Sequence, residues 1–216
     1  MGNPPAYASV ENAYNTVAES YAELLPDARY EAALDLAVLE EFAQRMSSTT
    51  NRSVLDAGCG AGRMAAILER FDLNLSGIDL SAEMIRIARR SFPSQQYQVG
   101  NLNDLPYPDR SFDGVLSWYS IIHTPAEGLA AMMQEFRRVL RPGGSLLLGF
   151  KVGQGQRAIT HAYGHDVSYC VQLHTLDSVR KALLASGFSL DVEVFRAARN
   201  IDKEAQGFMI ATLPTA

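Results

Sequence analysis

Cysteine and long apolar runs are scarce in this sequence of 216 residues, and each absence excludes a class of protein. Cys59 and Cys170 are the two cysteines, too few for a disulfide framework, so we expect a reducing compartment. Apolar runs stay well short of the roughly 18 residues that a membrane span requires. Residues 1–10 also lack the basic region and apolar run of a signal peptide, and we therefore predict a cytoplasmic location.

Basic charge is also in short supply. The 19 Lys and Arg residues are outnumbered by 24 Asp and Glu residues, which gives a net charge of −5. A general nucleic-acid binder usually carries a basic surface, so we expect no nucleic-acid partner. Apolar residues make up 47% of the chain, which is enough for a packed core, and the length fits one domain over 1–216.

Apolar segments of strand length alternate with helical patterns from residue 53 to residue 150. This alternation predicts an α/β fold with a doubly wound, mostly parallel sheet. Two apolar segments near the end follow each other without a helix between them, which predicts an antiparallel terminal hairpin. We expect an N-terminal helical cap over 9–46, a cofactor-binding core over 53–150, and a substrate flap with the terminal hairpin over 151–216. Within the flap, the stretch 151–174 reads as irregular.

Three glycines at alternate positions, Gly58, Gly60 and Gly62, follow the first strand and precede a helix. Glycine permits positive φ and close approach of the backbone to a ligand, and a helix N-terminus attracts anions. The dinucleotide fingerprint would have its third glycine where Arg63 stands. Arg63 would crowd a pyrophosphate but suits a carboxylate, so the loop favours a small anionic group.

Asp79 ends the second strand of the predicted sheet. A carboxylate at this place accepts hydrogen bonds from both hydroxyls of a ribose. The alternative is a cap for the helix that begins at Ser81, but Ser81 can provide that cap itself. We therefore predict a ribose contact for Asp79, with Leu80 and Met84 packing on an adenine ring.

Several of these segments resemble motifs of the class I S-adenosylmethionine-dependent methyltransferases. Residues 56–63 (DAGCGAGR) resemble the first motif of that family, and residues 77–81 (GIDLS) resemble its acidic end of the second strand. Further likenesses lie at 100–109 (GNLNDLPYPD), 112–117 (FDGVLS) and 138–144 (RVLRPGG). The resemblance covers about residues 53–150, and it is greatest to the small-molecule branch that includes ubiquinone- and menaquinone-type methyltransferases.

The resemblance implies a seven-stranded Rossmann-like sheet and S-adenosyl-L-methionine as the cofactor. It assigns the first-motif glycines, Gly58 and Gly60 among them, to the methionine part of the cofactor and Arg63 to its carboxylate. It also assigns Asp79 to the ribose and Asn101 with the Leu102 backbone to the adenine edge, and Asp56 is a further predicted cofactor-binding residue. The family usually carries Asp where this chain has Asn101. An amide oxygen still accepts a hydrogen bond, but without charge, so we expect weaker cofactor binding.

Candidates for the acceptor side follow the fourth strand. Ser117 is predicted to face the cofactor, and His123 is the best-placed imidazole, as a base or as a hydrogen-bond partner. Tyr119 is a second catalytic candidate. Trp118 would form an aromatic wall of the substrate site, with ordinary core packing as the alternative for both aromatic residues.

Three residues outside the core are predicted substrate contacts. Tyr14 lies on the apolar face of the first helix, where packing on the sheet is the alternative role. Tyr163 and His165 lie in the flap. His161 and His165 are four residues apart but lack a third strong ligand, so we predict no metal site.

Taken together, the sequence predicts in-line transfer of a methyl group from S-adenosylmethionine to an oxygen, nitrogen or carbon of a small-molecule acceptor. Such chemistry depends mainly on positioning. Two alternatives stay open. One is an NAD(P)-dependent oxidoreductase, and the other is a non-catalytic module that binds S-adenosylmethionine.

Overall fold

The computed structural model describes residues 5–215, with side chains from Tyr7 onward. The outermost residues of the predicted 1–216 domain, 1–4 and 216, lie outside the described residues. The helices are α1 (Pro5–Leu24), α2 (Ala33–Ser47), α3 (Ala65–Leu68), α4 (Ala82–Ser91), α5 (Leu129–Val139) and α6 (Leu176–Ala185). The strands are β1 (Ser53–Ala57), β2 (Asn74–Asp79), β3 (Gln96–Val99), β4 (Phe112–Trp118), β5 (Leu140–Val152), β6 (Gln156–Ala162), β7 (His165–Gln172), β8 (Ser189–Arg196) and β9 (Ala205–Thr212).

Seven strands form one sheet in the order β3-β2-β1-β4-β5-β9-β8. Strands β1 to β5 pair in parallel, while β9 runs antiparallel to both β5 and β8. The prediction of a doubly wound, mostly parallel sheet that ends in an antiparallel hairpin is confirmed. Because the order reverses at β1 and β4, the carboxyl ends of these strands open a crevice where α/β sheets bind ligands.

Both faces of the sheet are covered, as parallel sheets require. Along β5, Leu147 packs with Phe42 of α2 on one face, whereas Leu146 and Leu148 pack with Phe136 of α5 on the other. Successive side chains of a strand point to opposite faces, so an unbroken apolar run buries both. The core therefore fixes the sheet, and the loops at its carboxyl edge are free to form a site.

Residues 151–174 differ from the predicted irregular segment. They form an antiparallel hairpin of β6 and β7, which is separate from the main sheet and packs against α1. Tyr163 and Gly164 form its two-residue turn, with φ of 52° and 83°. Two successive positive φ values match the right-handed twist of a hairpin. The first helix also begins earlier than predicted, at Pro5 instead of Ser9.

The predicted helix directly after the glycine loop is shorter than expected. Residues 60–64 form turns, and α3 covers only Ala65–Leu68. Among the described helices, none combines the length and the apolar character of a membrane span.

Candidate functional site

The glycine loop is held against β2 by backbone hydrogen bonds. The Gly58 and Cys59 N–H groups donate to the Ile78 carbonyl over 2.8 and 3.0 Å. Gly58, Gly60 and Gly62 have φ of 84°, 53° and 86°, a region that side chains with a Cβ rarely enter. A Cβ on Gly58 would also lie 2.3 Å from the Ser120 Cβ. The loop therefore needs glycine for conformation and for close approach of the next segment.

Asp79 bridges the glycine loop and the start of α4. Its Oδ2 accepts from the Gly60 N–H and its Oδ1 accepts from the Ser81 N–H, each over 2.9 Å. Burial raises the pKa of the carboxyl, while the surrounding backbone N–H groups oppose that rise. The Ser81 hydroxyl caps α4 by accepting from the Met84 N–H, so the cap does not depend on Asp79. Each Asp79 oxygen keeps a lone pair for a ligand hydroxyl.

One cavity of about 630 Å³ opens at the carboxyl edge of the sheet. It brings together thirteen of the sixteen predicted site residues: Gly58, Gly60, Arg63, Asp79, Leu80, Met84, Asn101, Leu102, Tyr14, Trp118, Tyr119, His123 and Tyr163. Within the part of the chain that the structure describes, Asp56, Ser117 and His165 are not among the lining residues. The cavity thus joins the predicted cofactor side and the predicted acceptor side.

Ser117 is fully buried below the cavity floor, so the structure does not support a direct cofactor contact for it. Its hydroxyl bonds to that of Ser120, whose own hydroxyl donates to the Ala57 carbonyl over 2.7 Å. Ser120 lines the cavity instead. Ser120 was not predicted individually, because β4 continues to Trp118 before the chain turns.

Arg63 already has a carboxylate partner. Its guanidinium forms an ion pair with Glu31, and 11% and 5% of the two side chains are exposed. The Trp118 indole N–H donates to the same Glu31 oxygen over 3.0 Å. The role of Arg63 toward a cofactor carboxylate stays a prediction, since the guanidinium has five donors to share. Glu31 was not predicted, because it lies between α1 and α2 outside any recognisable motif.

The predicted adenine loop is organised by its own amide side chain. Asn101 Oδ1 accepts from the Asn103 backbone N–H over 2.9 Å, which closes a tight turn. The Asn103 amide donates to the Tyr7 hydroxyl over 3.0 Å, and both residues line the cavity. The adenine contact predicted for Asn101 therefore competes with this turn. Asn103 is a further polar group at the site that the sequence did not single out.

Tyr14 and His123 meet at the centre of the cavity. The Tyr14 hydroxyl and His123 Nε2 are 3.0 Å apart. Burial lowers the pKa of His123 to about 4 and raises that of Tyr14 well above its usual value, so both are neutral at pH 7. The ring of Tyr169 lies 5.7 Å from each of the other two rings. Tyr169 was not predicted, because nothing in the sequence indicated that β7 reaches α1.

The hairpin is tied to α1 at its tip. Tyr163 packs edge-on against Tyr21, with ring centroids 5.0 Å apart. His165 Nε2 and the Ser20 hydroxyl are 2.8 Å apart, which fixes β7 on α1 and turns His165 away from the cavity. The predicted substrate contact of His165 is therefore not supported, because its imidazole serves this link. Among the described residues, no group of three or more His, Cys, Asp or Glu could hold a metal ion.

Asp56 lies beneath the glycine loop, where it is almost fully buried and outside the cavity lining. Burial raises the pKa of its carboxyl to about 7, with a further increase from the charge of Asp79 and a decrease from that of Arg63. Because the folded state binds this proton more tightly than the unfolded state, the resulting stability is present in acid and is lost as the pH rises toward 7.

Replacement of Asp56 by Asn should therefore remove a pH dependence. We expect the difference in unfolding free energy between Asp56→Asn and the wild type to shift in favour of the variant as the pH rises from 4 to 7. The shift should be at most about 1.4 kcal/mol per pH unit. Urea unfolding at pH 5, 6, 7 and 8 measures the difference. Asp113→Asn is the control: burial raises the pKa of Asp113, but hydrogen bonds from Ser53 and the charge of Arg141 outweigh it and lower the pKa. A difference for Asp56→Asn that does not change with pH would contradict the prediction.

Comparison with known proteins agrees with this geometry. Residues 54–144 match a family described as a methyltransferase domain. The chain is 33% identical over 115 residues to the O-methyltransferase rstn1 of Aspergillus nomiae, which covers 50% of each protein. The chain spans about half the length of the curated relatives it matches.

Solved structures share the whole architecture. The magnesium protoporphyrin IX methyltransferase ChlM from Synechocystis PCC 6803 superposes with a TM-score of 0.71 at 17% identity, covering 98% of this chain and 99% of that one. The [4+2]-cyclase SpnF superposes with a TM-score of 0.76 at 18% identity over the full length of both chains. The chain has the fold of these solved methyltransferase structures, and residues 54–144 match the methyltransferase-domain family.

Proposed function

We propose that this protein transfers the methyl group of S-adenosylmethionine to an oxygen, nitrogen or carbon of a small-molecule acceptor. The observation that carries the proposal is the shared cavity in which the glycine loop and Asp79 face the cluster of Tyr14 and His123. The methyltransferase-domain match over the glycine loop supports it. That match and Arg63 at the dinucleotide glycine position both weigh against a nicotinamide-dependent oxidoreductase.

The residues present fit this cofactor. Asp79 faces the cavity with lone pairs for the two ribose hydroxyls, and a Cβ added to Gly60 would meet only the Tyr21 ring, at 3.9 Å, leaving space beside the loop. Leu80 offers an apolar surface to the adenine, whereas Met84 is fully buried in the same wall and does not support its predicted adenine contact. Arg63 offers N–H donors to the carboxylate. When bound, the cofactor supplies a sulfonium that carries an activated methyl group.

The work left to the chain is positioning. The aromatic residues around His123 exclude water and orient an acceptor at near-attack distance. A histidine with a pKa near 4 is neutral at physiological pH, so its Nε2 accepts a hydrogen bond, and an acceptor hydroxyl would replace the Tyr14 hydroxyl there. Because His123 is such a weak base, the acceptor hydroxyl keeps its proton until late in the methyl transfer. The main contribution of His123 is therefore to orient the acceptor.

Binding and turnover test the proposal together. We expect S-adenosylhomocysteine to raise the melting temperature of the protein and NAD or NADP to leave it unchanged, since a ligand at about 100 times its Kd adds about 2.7 kcal/mol. A pool of small hydroxylated and amino aromatic compounds is then incubated with tritium-labelled S-adenosylmethionine. A shift with a nicotinamide nucleotide would overturn the proposal, whereas adenosyl binding without methylation of any acceptor would favour the binding module.

Removal of the His123 imidazole should lower the catalytic rate much more than it weakens cofactor binding. We expect His123→Gln to lower kcat about 10- to 100-fold through loss of acceptor orientation, with the Kd for S-adenosylhomocysteine changed less than about threefold. Because the His123 pKa is near 4, the wild-type rate should show no ionisation step near pH 6.5. Initial rates from pH 5 to pH 9 measure both effects. A step near pH 6.5 that His123→Gln abolishes would contradict the orientation role.

We further propose a cytoplasmic enzyme without nucleic-acid partners, on the basis of the acidic composition and of Cys59 and Cys170, which are both free thiols. Cell fractionation checks the location. Titration of the protein with a random duplex DNA at low salt checks the partner class, and we expect no binding.

A further inference from the structure

Most charged groups that line the cavity are already balanced. The carboxylate of Glu31 pairs with Arg63, that of Asp35 with Arg196, and that of Asp202 with Arg196 and Arg199. Asp79 is held by backbone N–H groups. These pairs leave little electrostatic preference for a charged ligand in their part of the cavity.

Positive charge exceeds negative charge at one place. Lys151 at the end of β5 and Arg157 on β6 both line the cavity, and both contact the one carboxylate of Glu204. The Arg157 Nε lies 2.7 Å from Glu204 Oε1, and the Lys151 ammonium lies 3.4 Å from Oε2. Glu204 itself is 10% exposed and is not among the lining residues. Lys203, the next residue toward the N-terminus, adds a third cation to the lining.

The donors of this cationic cluster (Lys151 and Arg157) are not exhausted by Glu204. Arg157 uses its Nε for the carboxylate, which leaves the four N–H groups of the guanidinium fork. Lys151 and Arg157 keep 26% and 30% of their side chains exposed, although they line a partly covered cavity. A guanidinium fork beside an ammonium is a strong binding group for a carboxylate.

A buried amide stands beside the cationic cluster. Gln206 on β9 is opposite Lys151 in the sheet register, lines the cavity and is 4% exposed. Its Nε2 donates to the Glu204 carbonyl over 2.7 Å, which fixes the amide orientation, and its Oε1 has no partner. A buried acceptor without a partner is costly, so this oxygen calls for an N–H or O–H donor from a ligand.

The cluster adjoins the predicted reaction centre. The charge of Lys151 contributes to the lowered pKa of His123, after the larger effect of burial. Arg157 likewise acts on Tyr169, opposing the increase in pKa that burial causes there. Arg157 is opposite Val171 in the hairpin register, two residues along β7 from Tyr169, and Lys151 lines the same cavity as His123.

We propose that the methyl acceptor is a carboxylic acid, bound as its anion by Lys151 and Arg157, with a hydroxyl or amine that donates to Gln206 Oε1. The inference rests on the proposed function, and it assigns a substrate class to the same cavity. The carboxylate of the acceptor binds the N–H groups of Lys151 and Arg157 that Glu204 leaves unused. The aromatic lining holds the body of the acceptor beside His123.

Matched probes of similar shape test this assignment. Salicylate and salicylamide differ in charge, and both carry a hydroxyl beside the charged or neutral group. We expect calorimetry to show that the wild-type protein binds salicylate at least about tenfold more tightly than salicylamide. Titrations are run with and without S-adenosylhomocysteine, so the charge preference is measured even if the adenosyl ligand does not bind. Loss of adenosyl binding would count against the proposed function, and loss of the preference against the anion site.

Two variants are expected to change salicylate affinity in opposite directions, which makes the test specific. We expect Lys151→Gln/Arg157→Gln to bring the two affinities within about threefold, and Glu204→Gln to tighten salicylate binding several-fold by removing the competing carboxylate. The triple variant Lys151→Gln/Arg157→Gln/Glu204→Gln also removes the buried carboxylate that the double variant leaves without its two cations, so it should fold even if the double variant does not. Arg180→Gln, which breaks the pair with Glu193 between α6 and β8, should leave the preference unchanged.

Three results would overturn the proposal. The first is equal binding of the two probes by the wild type. The second is a preference for salicylate that persists in the double or triple variant. The third is no binding of either probe up to about 10 mM, where even a weak anion site would register.

Discussion

Asp79→Ala should weaken the binding of S-adenosylhomocysteine by at least about 100-fold, since a hydrogen bond to a charged group contributes about 1.5–3 kcal/mol and the ribose offers two. The carboxylate is held in place before any ligand arrives, by the N–H groups of Gly60 and Ser81. Alanine leaves both N–H groups facing the cavity, where water can reach them. Most of the loss should therefore fall on binding and little on folding.

Isothermal titration of both proteins with S-adenosylhomocysteine measures the effect, and urea unfolding without ligand separates binding from stability. Glu83→Ala is the matched control: it removes a carboxylate from the same helix start, but Glu83 is exposed, pairs with Arg86 and is not a lining residue. Its Kd should stay within about threefold of the wild type. An Asp79→Ala protein that folds normally and binds with unchanged affinity would remove Asp79 from the cofactor site.

The sheet and the cofactor side of the cavity could be predicted because their signals are local. Short apolar strands between helical patterns predict a parallel sheet, and the carboxyl ends of neighbouring parallel strands meet at one edge. Gly58 and Asp79 were therefore expected to lie together before any contact was known. The register of β1 with β2 places them so, with Ala57 opposite Ile78.

The acceptor side depends on partners far apart in the chain, which no local pattern predicts. Tyr14 meets His123 across 109 residues, and Glu31 meets Trp118 across 87. The β6–β7 hairpin was missed because Tyr163-Gly164 lacks the Asn-Gly or Asp-Gly signal of a two-residue turn. Tyr163 tolerates a positive φ here because its ring packs on Tyr21, a contact made only in the folded chain.

Single-residue errors have a different cause. Ser117 and Ser120 are three positions apart, and which one reaches the cavity depends on where β4 ends. Strand ends are set by tertiary pairing, here by the bond from the Tyr119 N–H to the Gly149 carbonyl. Tyr119 then turns with a φ of 60°, a conformation that composition does not reveal for a bulky residue.

We expect the largest effect on stability from breaking the buried ion pair between α2 and β8. Arg196 binds Asp35 through two nitrogens, over 2.6 and 3.1 Å, and 1% of the Asp35 side chain is exposed. Arg196→Met would leave this carboxylate buried with only the Ala32 N–H as a remaining partner. We expect the unfolding free energy to fall by about 3–5 kcal/mol, measured by urea unfolding, because an uncompensated buried charge is strongly unfavourable.

The double variant Asp35→Asn/Arg196→Met distinguishes loss of the pair from exposure of its remaining charge. Because the carboxylate is gone as well, we expect the double variant to recover most of the lost stability, as buried pairs replaced at both ends often do. Arg180→Met, which breaks the exposed pair with Glu193, should cost less than about 1 kcal/mol. If Arg196→Met cost no more than this control, the Asp35 charge would be relieved in some other way, by water or by movement of α2. The link between the cap and the sheet at the cavity mouth would then be far weaker than its geometry indicates.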